Sequence, residues 1–153
     1  RFYLENDEII ELSATASSFT NFYKKIKDHE LASVTMKSRK GVICVITNSR
    51  QSSYGYDQRV ELFGSKGMLI SGNQNSNQTE IYNSSSTSSK KPYLNFFIER
   101  YKDAYKNQLN DLAKFAKKNI KPRSVFLDGY KALELAENAN SSFKLKKEIK
   151  TSN

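Results

Sequence analysis

The sequence predicts an α+β domain, with a largely antiparallel, open-faced β-sheet and helices packed on one of its faces. Alternating or apolar runs between turn signals fill roughly the first ninety residues, as is typical of β-strands. After Pro92 the apolar residues recur every three to four positions, as they do in amphipathic helices. Strands followed by helices indicate this fold class. At 153 residues, the chain is expected to form one domain over 1–153.

The first two strands are predicted on either side of a polar connection. Residues 9–14 are mostly apolar, and 32–38 alternate apolar with polar residues, as a strand with one buried face does. The connection contains His29, the only histidine, which is expected to be a solvated side chain. Arg39-Lys40-Gly41 then predicts a tight turn.

The next run, from Val42 to Thr47, is apolar on both faces, which predicts a central strand covered in part on each side. Within it, Cys44 is expected to be a small buried thiol. Residues 58–63 and 68–70 flank a Gly-Ser-Lys-Gly sequence, and this arrangement predicts a β-hairpin.

Residues 72–92 are low in sequence complexity. Asn73 to Asn77 contains only Asn, Gln and Ser, and Thr79 to Tyr82 predicts an edge strand. The serine-rich run from Ser84 to Lys91 predicts a mobile loop.

Two helices are predicted after this segment. Apolar residues from Leu94 to Ala116 lie at helical spacing and predict one long amphipathic helix, which Pro122 should end. Asp128 is expected to be the N-cap of a second helix. A terminal strand around Glu148-Ile149 is expected to close the sheet.

Composition narrows the classes of function. The net charge of +9 suggests nucleic-acid binding, but the lysines are mixed with Glu and Asp over the predicted helix surfaces, so we rank this class last and expect no nucleic-acid partner. No apolar run approaches the roughly 20 residues that span a bilayer, so no membrane partner is expected. The single cysteine allows no disulfide framework, which favours a cytoplasmic protein. The sequence contains no Gly-rich phosphate loop and no cluster of metal ligands.

The segment 48–59 concentrates groups that bind hydroxyls. It holds two Tyr, two Arg and an Asp around Gly55, between two predicted strands. Carboxylate, guanidinium, amide and phenol groups satisfy the paired hydroxyls of a polyol, and an aromatic face covers its C–H surface. On the residues alone, a polar connection whose tyrosines pack at the sheet edge is the favoured interpretation, and a polyol site is the alternative.

Longer motifs resemble a known family. Residues 48–50 and 54–67 are similar to a stretch in the C-terminal domain of inositol 2-dehydrogenases, within the glucose-fructose oxidoreductase (GFO/IDH/MocA) family. The segments 97–105 and 128–140 resemble two helices of the same family, in the same order. The resemblance extends from about residue 8 to 150, leaving out mainly the serine-rich segment.

The resemblance implies that this chain is the C-terminal, substrate-side domain of a two-domain subunit. An N-terminal Rossmann domain, absent from this chain, would bind NAD or NADP and carry the catalytic Lys, with a catalytic Asp and His on a helix that ends near residue 4. This chain would then hold no catalytic or cofactor-binding residue and no metal, and would be inactive alone. Its implied partners are a polyol or sugar, its own Rossmann domain, and further copies in a dimer or tetramer formed through the sheet face.

The resemblance also implies which residues face the substrate. Tyr56 is the first candidate, and Asn48, Tyr54, Asp57, Arg59 and Tyr105 are the others. Asp57 and Arg59 have an alternative role as a pair that fixes the loop, and Tyr105 lies on the apolar stripe of its helix, where a core role is equally compatible. At the level of the whole chain, the alternative function is a non-catalytic oligomerisation or interaction module.

Overall fold

The computed structural model describes residues 2–5 and 7–151. They fall into two compact units, one from Arg1–Gln51 with Arg123–Asn153, the other from Ser52–Pro122. Whether 1–153 acts as a single domain stays a prediction. In chain order the strands and helices are β1 (Ile9–Ser17), α1 (Asn21–Ile26), β2 (Leu31–Ser38), β3 (Ile43–Ser49), β4 (Val60–Gly64), β5 (Gly67–Ser71), β6 (Glu80–Asn83), β7 (Ser86–Lys90), α2 (Phe97–Arg100), α3 (Lys102–Lys118), α4 (Phe126–Leu145) and β8 (Ile149–Lys150).

The first unit contains a four-stranded antiparallel sheet in the order β3-β2-β1-β8. Leu12 pairs with Met36, and both are buried where α4 packs against β1, with Leu12 only 1% exposed. The Ser142 hydroxyl ties α4 to the sheet, since its oxygen accepts a hydrogen bond from the Ala14 N–H at 3.0 Å. The predicted α+β fold with an open antiparallel sheet is confirmed, as are the strands predicted at 9–14, 32–38 and 148–149.

The position predicted for the apolar run after Gly41 is wrong. β3 lies at one edge of the sheet, and its Ile43 side chain is 70% exposed. A continuous apolar run occurs in edge strands as well as in central ones, so its composition does not show how many neighbouring strands the segment has. Cys44 is half-buried, with a free thiol.

The connection between β1 and β2 is more ordered than a polar loop. α1 begins after Thr20, where the Glu30 carboxylate accepts hydrogen bonds from the N–H groups of Phe19 and Thr20. These bonds, that of Thr20 above all, lower the pKa of Glu30. His29 is not the solvated side chain that the sequence predicts, because its half-buried ring packs edge-on against Phe143 with 4.4 Å between centroids.

The second unit consists of two hairpins and two helices. β4 and β5 form the hairpin predicted across Gly64 to Gly67. β6 confirms the predicted edge strand, but the serine-rich run is not a loop, because β7 pairs with β6. Polar groups make this strand: the Glu80 carboxylate accepts hydrogen bonds from Ser88 and Lys90 across the hairpin, and the Asn83 side chain accepts two backbone N–H bonds in the turn.

The helices differ from prediction at their ends. The long helix is interrupted at Tyr101, whose φ of −104° and ψ of 12° lie outside the helical region and separate α2 from α3. α3 ends at Lys118, next to the segment 119–122 that was predicted to end it. The residue responsible is Asn119 rather than Pro122, because Asn119 adopts a left-handed conformation, which asparagine tolerates well. α4 begins at Phe126, so Asp128 is its third residue and not the N-cap, and the Asp128 carboxylate accepts the Val125 N–H at 2.9 Å.

Candidate functional site

Five of the six predicted site residues lie in the second unit, four of them on the segment that enters β4. This segment pairs with residues 93–94: the Tyr56 N–H donates to the Leu94 carbonyl at 2.8 Å, and the Tyr93 N–H donates to the Tyr54 carbonyl at 3.0 Å. Gly55 has a φ of +117°, and a Cβ there would lie 2.7 Å from the Tyr93 carbonyl oxygen. Only glycine allows so close an approach of the two backbones.

The Asp57 carboxylate is the centre of a hydrogen-bond cluster. Its Oδ2 accepts from the Tyr54 hydroxyl at 2.6 Å and from Arg59 Nη2 at 2.9 Å. Its Oδ1 accepts from Arg59 Nε at 2.8 Å and from Asn73 Nδ2 at 2.6 Å. The hydrogen bond from Tyr54, followed by those from Asn73 and Arg59, lowers the pKa of Asp57 from its ordinary 3.8 to about 2. The carboxylate is therefore fully ionised at neutral pH.

Asn73 is a member of this cluster that the sequence did not reveal. Its Oδ1 accepts the Gln58 N–H at 2.7 Å while its Nδ2 donates to Asp57, so one amide holds both backbone and side chain of the segment. Asn73 stands at the start of a low-complexity run, whose composition gives no sign of a specific contact.

A row of tyrosine rings adjoins the same segment. The half-buried Tyr56 packs edge-to-face on Tyr101, with centroids 5.7 Å apart, and Tyr101 does the same on Tyr105 at 6.4 Å. Burial, together with a hydrogen bond with Tyr56, raises the pKa of Tyr101. Tyr101 was not among the predicted site residues. Helical spacing accounts for its contact with Tyr105, one turn further on, but gives no sign of its contact with Tyr56.

Asn48 lies on β3 in the first unit, where it is exposed and pairs with Ala32. Arg50, from the same polar segment, is held by Asp28 and by the His29 carbonyl, and its guanidinium lies over the Tyr23 ring at 5.4 Å. The structure therefore brings Tyr54, Asp57 and Arg59 into one cluster and Tyr56 and Tyr105 into a second, which Tyr101 links.

Metal-binding clusters and membrane-spanning helices are both absent from the described part of the chain. No group of three or more His, Cys, Asp or Glu side chains there is arranged to hold a metal ion. No helix among residues 2–5 and 7–151 has the length and apolarity needed to cross a membrane.

Comparison with known proteins supplies the context for these clusters. Residues 2–70 match the family described as the GFO/IDH/MocA C-terminal domain. The myo-inositol 2-dehydrogenase of Thermotoga maritima is 34% identical over 149 residues, which cover 97% of this chain and 44% of that protein. The inositol 2-dehydrogenase of Rhizobium meliloti is 33% identical over 150 residues, covering 96% and 44%.

The fold agrees with the same group of proteins. The crystal structure of a myo-inositol dehydrogenase from Corynebacterium glutamicum superposes with a TM-score of 0.89 at 36% identity, covering 95% of this chain and 44% of that one. This chain spans 41% to 44% of the length of the curated relatives it matches.

Proposed function

Since this chain belongs to the GFO/IDH/MocA family as its C-terminal domain, we propose that it is the substrate-side domain of an NAD-dependent oxidoreductase that oxidises a CH–OH group of a cyclic polyol or sugar. The names of the relatives support myo-inositol or a close analogue as the substrate. We also propose that the protein is cytoplasmic, because one cysteine cannot form a disulfide within the chain and disulfides are rare in that compartment.

We assign the chemistry to a part of such a protein that this chain, which spans 41% to 44% of the length of its relatives, does not include. The reaction removes a hydride from carbon and a proton from the hydroxyl oxygen. NAD or NADP, when bound, accepts the hydride. The sequence contains no Gly-rich phosphate loop, so we assign the cofactor, together with a Lys, an Asp and a His that handle the proton, to a Rossmann domain outside this chain. This chain alone is then inactive, and its task is to bind and orient the polyol.

The observation that carries the proposal is the concentration of hydrogen-bonding groups on residues 54–59. Phenol and guanidinium groups there are partly exposed and held in fixed positions by Asp57, as a ligand with many hydroxyls requires. We propose that Tyr56, Tyr54 and Arg59 contact the substrate, and that Asp57 and Tyr105 belong to the same site. Asn48, in the first unit, is proposed separately as a substrate contact.

A second candidate function is assembly. The β4–β5 hairpin exposes consecutive apolar side chains, and such patches usually mark interfaces. By contrast, the uncovered face of the four-stranded sheet is largely polar in β1 and β2, where Lys37 pairs with Glu11 at 3.3 Å. We propose that the whole protein is a homo-oligomer, a dimer or tetramer formed through the sheet face, that the β4–β5 hairpin adds apolar contacts to this assembly, and that assembly accompanies substrate binding. The exposed apolar residues of the hairpin are Phe63, Met68, Leu69 and Ile70.

The test is reduction of NAD and NADP by the full-length protein with myo-inositol, glucose and other polyols, with the 153-residue chain as a silent control. Tyr56→Phe should raise KM for the preferred polyol by roughly tenfold or more, since a lost hydrogen bond costs about 1–3 kcal/mol. Tyr82→Phe is the matched control, because the Tyr82 hydroxyl bonds Glu80 on the other hairpin.

Failure to reduce either cofactor with any polyol would refute the enzymatic proposal. The assembly role is decided separately by sedimentation: Leu69→Glu should dissociate the oligomer if the hairpin is part of its interface, and an unchanged sedimentation coefficient would contradict this.

A further inference from the structure

We infer that Asp57 is a positioning residue, held by Asn73, which orients the Tyr54 hydroxyl as an acceptor and the Arg59 guanidinium as a donor for two adjacent hydroxyls of the polyol. The inference rests on the proposed function, and it gives Asp57 a different role from the tyrosines beside it.

The hydrogen-bond capacity of the Asp57 carboxylate is filled by its protein partners. An ionised carboxylate has about four acceptor positions. Tyr54, Asn73 and the two nitrogens of Arg59 supply four donors at 2.6 to 2.9 Å, two to each oxygen. The side chain is 18% exposed, so a substrate hydroxyl would have to displace one of these partners before it could bond Asp57.

The direction of the hydrogen bonds to Asp57 decides what Tyr54 and Arg59 can offer a ligand. The Tyr54 hydroxyl spends its only proton on Asp57, so its oxygen can accept a hydrogen bond but has none left to donate. Arg59 can only donate, and its side chain remains 66% exposed, which leaves N–H groups accessible to a ligand.

The Tyr54 hydroxyl and the Arg59 guanidinium donate hydrogen bonds to the same oxygen of Asp57. Tyr54 and Arg59 Nη2 both bond Asp57 Oδ2, so an acceptor and a donor stand side by side. Two neighbouring hydroxyls of a polyol match this pair, because one can donate to the Tyr54 oxygen while the other accepts from Arg59. The arrangement therefore favours a vicinal diol over an isolated hydroxyl.

The Asp57 carboxylate is itself held in place by a hydrogen bond from Asn73. Asn73 lies 16 positions further along the chain, and it bonds both Asp57 and the Gln58 N–H. Asn73 therefore fixes the Asp57 carboxylate relative to the backbone. This stabilises the site because binding groups that are misplaced lose affinity steeply.

Kinetics with deoxy-inositols in the full-length protein separate a positioning residue from a ligand. Asp57→Asn should raise KM for myo-inositol roughly tenfold, with a smaller change in kcat, and this factor should shrink in part with two monodeoxy analogues, one for each paired hydroxyl, because Asp57 acts through both Tyr54 and Arg59. Tyr54→Phe should raise KM for myo-inositol but not for the one analogue that lacks the hydroxyl that donates to the Tyr54 oxygen. If the cost of Asp57→Asn also vanishes with one analogue, Asp57 is a direct ligand and the inference fails.

The chain offers a matched control. Glu80 is likewise a carboxylate with a pKa of about 2, held by a serine, a lysine and a tyrosine, but on the β6–β7 hairpin. Glu80→Gln should leave KM unchanged for every polyol. A rise in KM equal to that of Asp57→Asn would show that any loss of charge in this unit has the same effect, and would overturn the inference.

Hydrogen–deuterium exchange tests the support without reference to activity. In the full-length protein, Asn73→Ala should accelerate exchange of the Gln58 amide at least tenfold, while Asn77→Ala should not. Unchanged exchange in Asn73→Ala would refute the role of Asn73. If no polyol is oxidised, the proposed function fails, and the exchange result still decides whether Asn73 fixes this segment.

Discussion

The two compact units are stabilised by different interactions. In the first, Leu12 and Ser142 are buried where α4 packs against β1, and Met36 and Ser38 are buried on the neighbouring strand β2. Among residues 52–122, all of which the structure describes, none is buried. That unit is held by hairpin hydrogen bonds, by tyrosine pairs and by two carboxylates whose partners come from different parts of the chain.

The difference assigns separate tasks to the two units. Apolar burial is not directional, so it supplies stability, whereas hydrogen bonds fix the positions of individual groups. The unit rich in hydrogen-bonded side chains is the one that carries most of the candidate site. We expect the first unit to respond to lost volume and the second to altered charge and backbone geometry.

The largest effect should come from Leu12→Ala. Removal of a buried leucine costs about 2–5 kcal/mol of unfolding free energy, through lost transfer energy and the cavity left behind. Urea unfolding measures this cost. Leu109→Ala on α3, where the side chain is 66% exposed, should change it by no more than about 0.5 kcal/mol. An equal loss in the two variants would mean that α3 is as well covered as the sheet and would remove the contrast between the units.

A smaller effect should follow Gly55→Ala. Positive φ costs a residue with a Cβ about 1–2 kcal/mol, and here the methyl would also meet the Tyr93 carbonyl. We expect loss of tyrosine near-ultraviolet circular dichroism and a raised KM for the polyol. Gly64→Ala is the control, since a Cβ there meets no atom within 4 Å. If both variants keep the wild-type spectrum and KM, the pairing of residues 54–56 with 93–94 does not shape the site.

The smallest effect should appear on acidification. The pKa values of Asp57 and Glu80 are lowered to about 2 from 3.8 and 4.5, so their contribution to stability is complete above about pH 4.5 and is lost as the pH falls towards 2. The lowered pKa of Glu30 also stabilises the first unit at neutral pH, and this contribution is likewise lost on acidification. Six of the nine tyrosines lie in 52–122, so near-ultraviolet circular dichroism reports mainly on the second unit.

The Asp57→Asn, Glu80→Gln double variant should flatten this acid transition, and Glu134→Gln on α4 should leave it unchanged. An acid transition of wild-type steepness in the double variant would show that these carboxylates do not stabilise the second unit.

The sequence predicted what depends on local spacing. A mostly apolar run identified β1, alternation identified β2, and the Gly-Ser-Lys-Gly turn identified the first hairpin, because each signal is contained in a short window. It failed for β7, whose serines carry no apolar pattern and whose pairing depends on Glu80 across the hairpin. It also failed for the placement of β3, since edge and central strands can have the same composition.

The candidate site also combines residues that the sequence indicated with residues that it missed. The dense run of polar and aromatic residues drew attention to 48–59, and the resemblance to inositol 2-dehydrogenases then singled out Tyr54, Tyr56, Asp57 and Arg59 as candidates. Asn73 was missed because its contact with Asp57 exists only after the chain has folded back. Tyr101 was missed because helical spacing alone does not show that a tyrosine packs against a loop.

The exposed edge strand has a practical consequence for handling the protein. β3 presents Ile43, Val45 and Ile46 at an edge where the backbone can pair with another chain, and it carries no lysine or proline to prevent such pairing. Concentrated solutions of the isolated chain should therefore form intermolecular sheets and aggregate. A lysine in place of Val45 should keep the chain soluble.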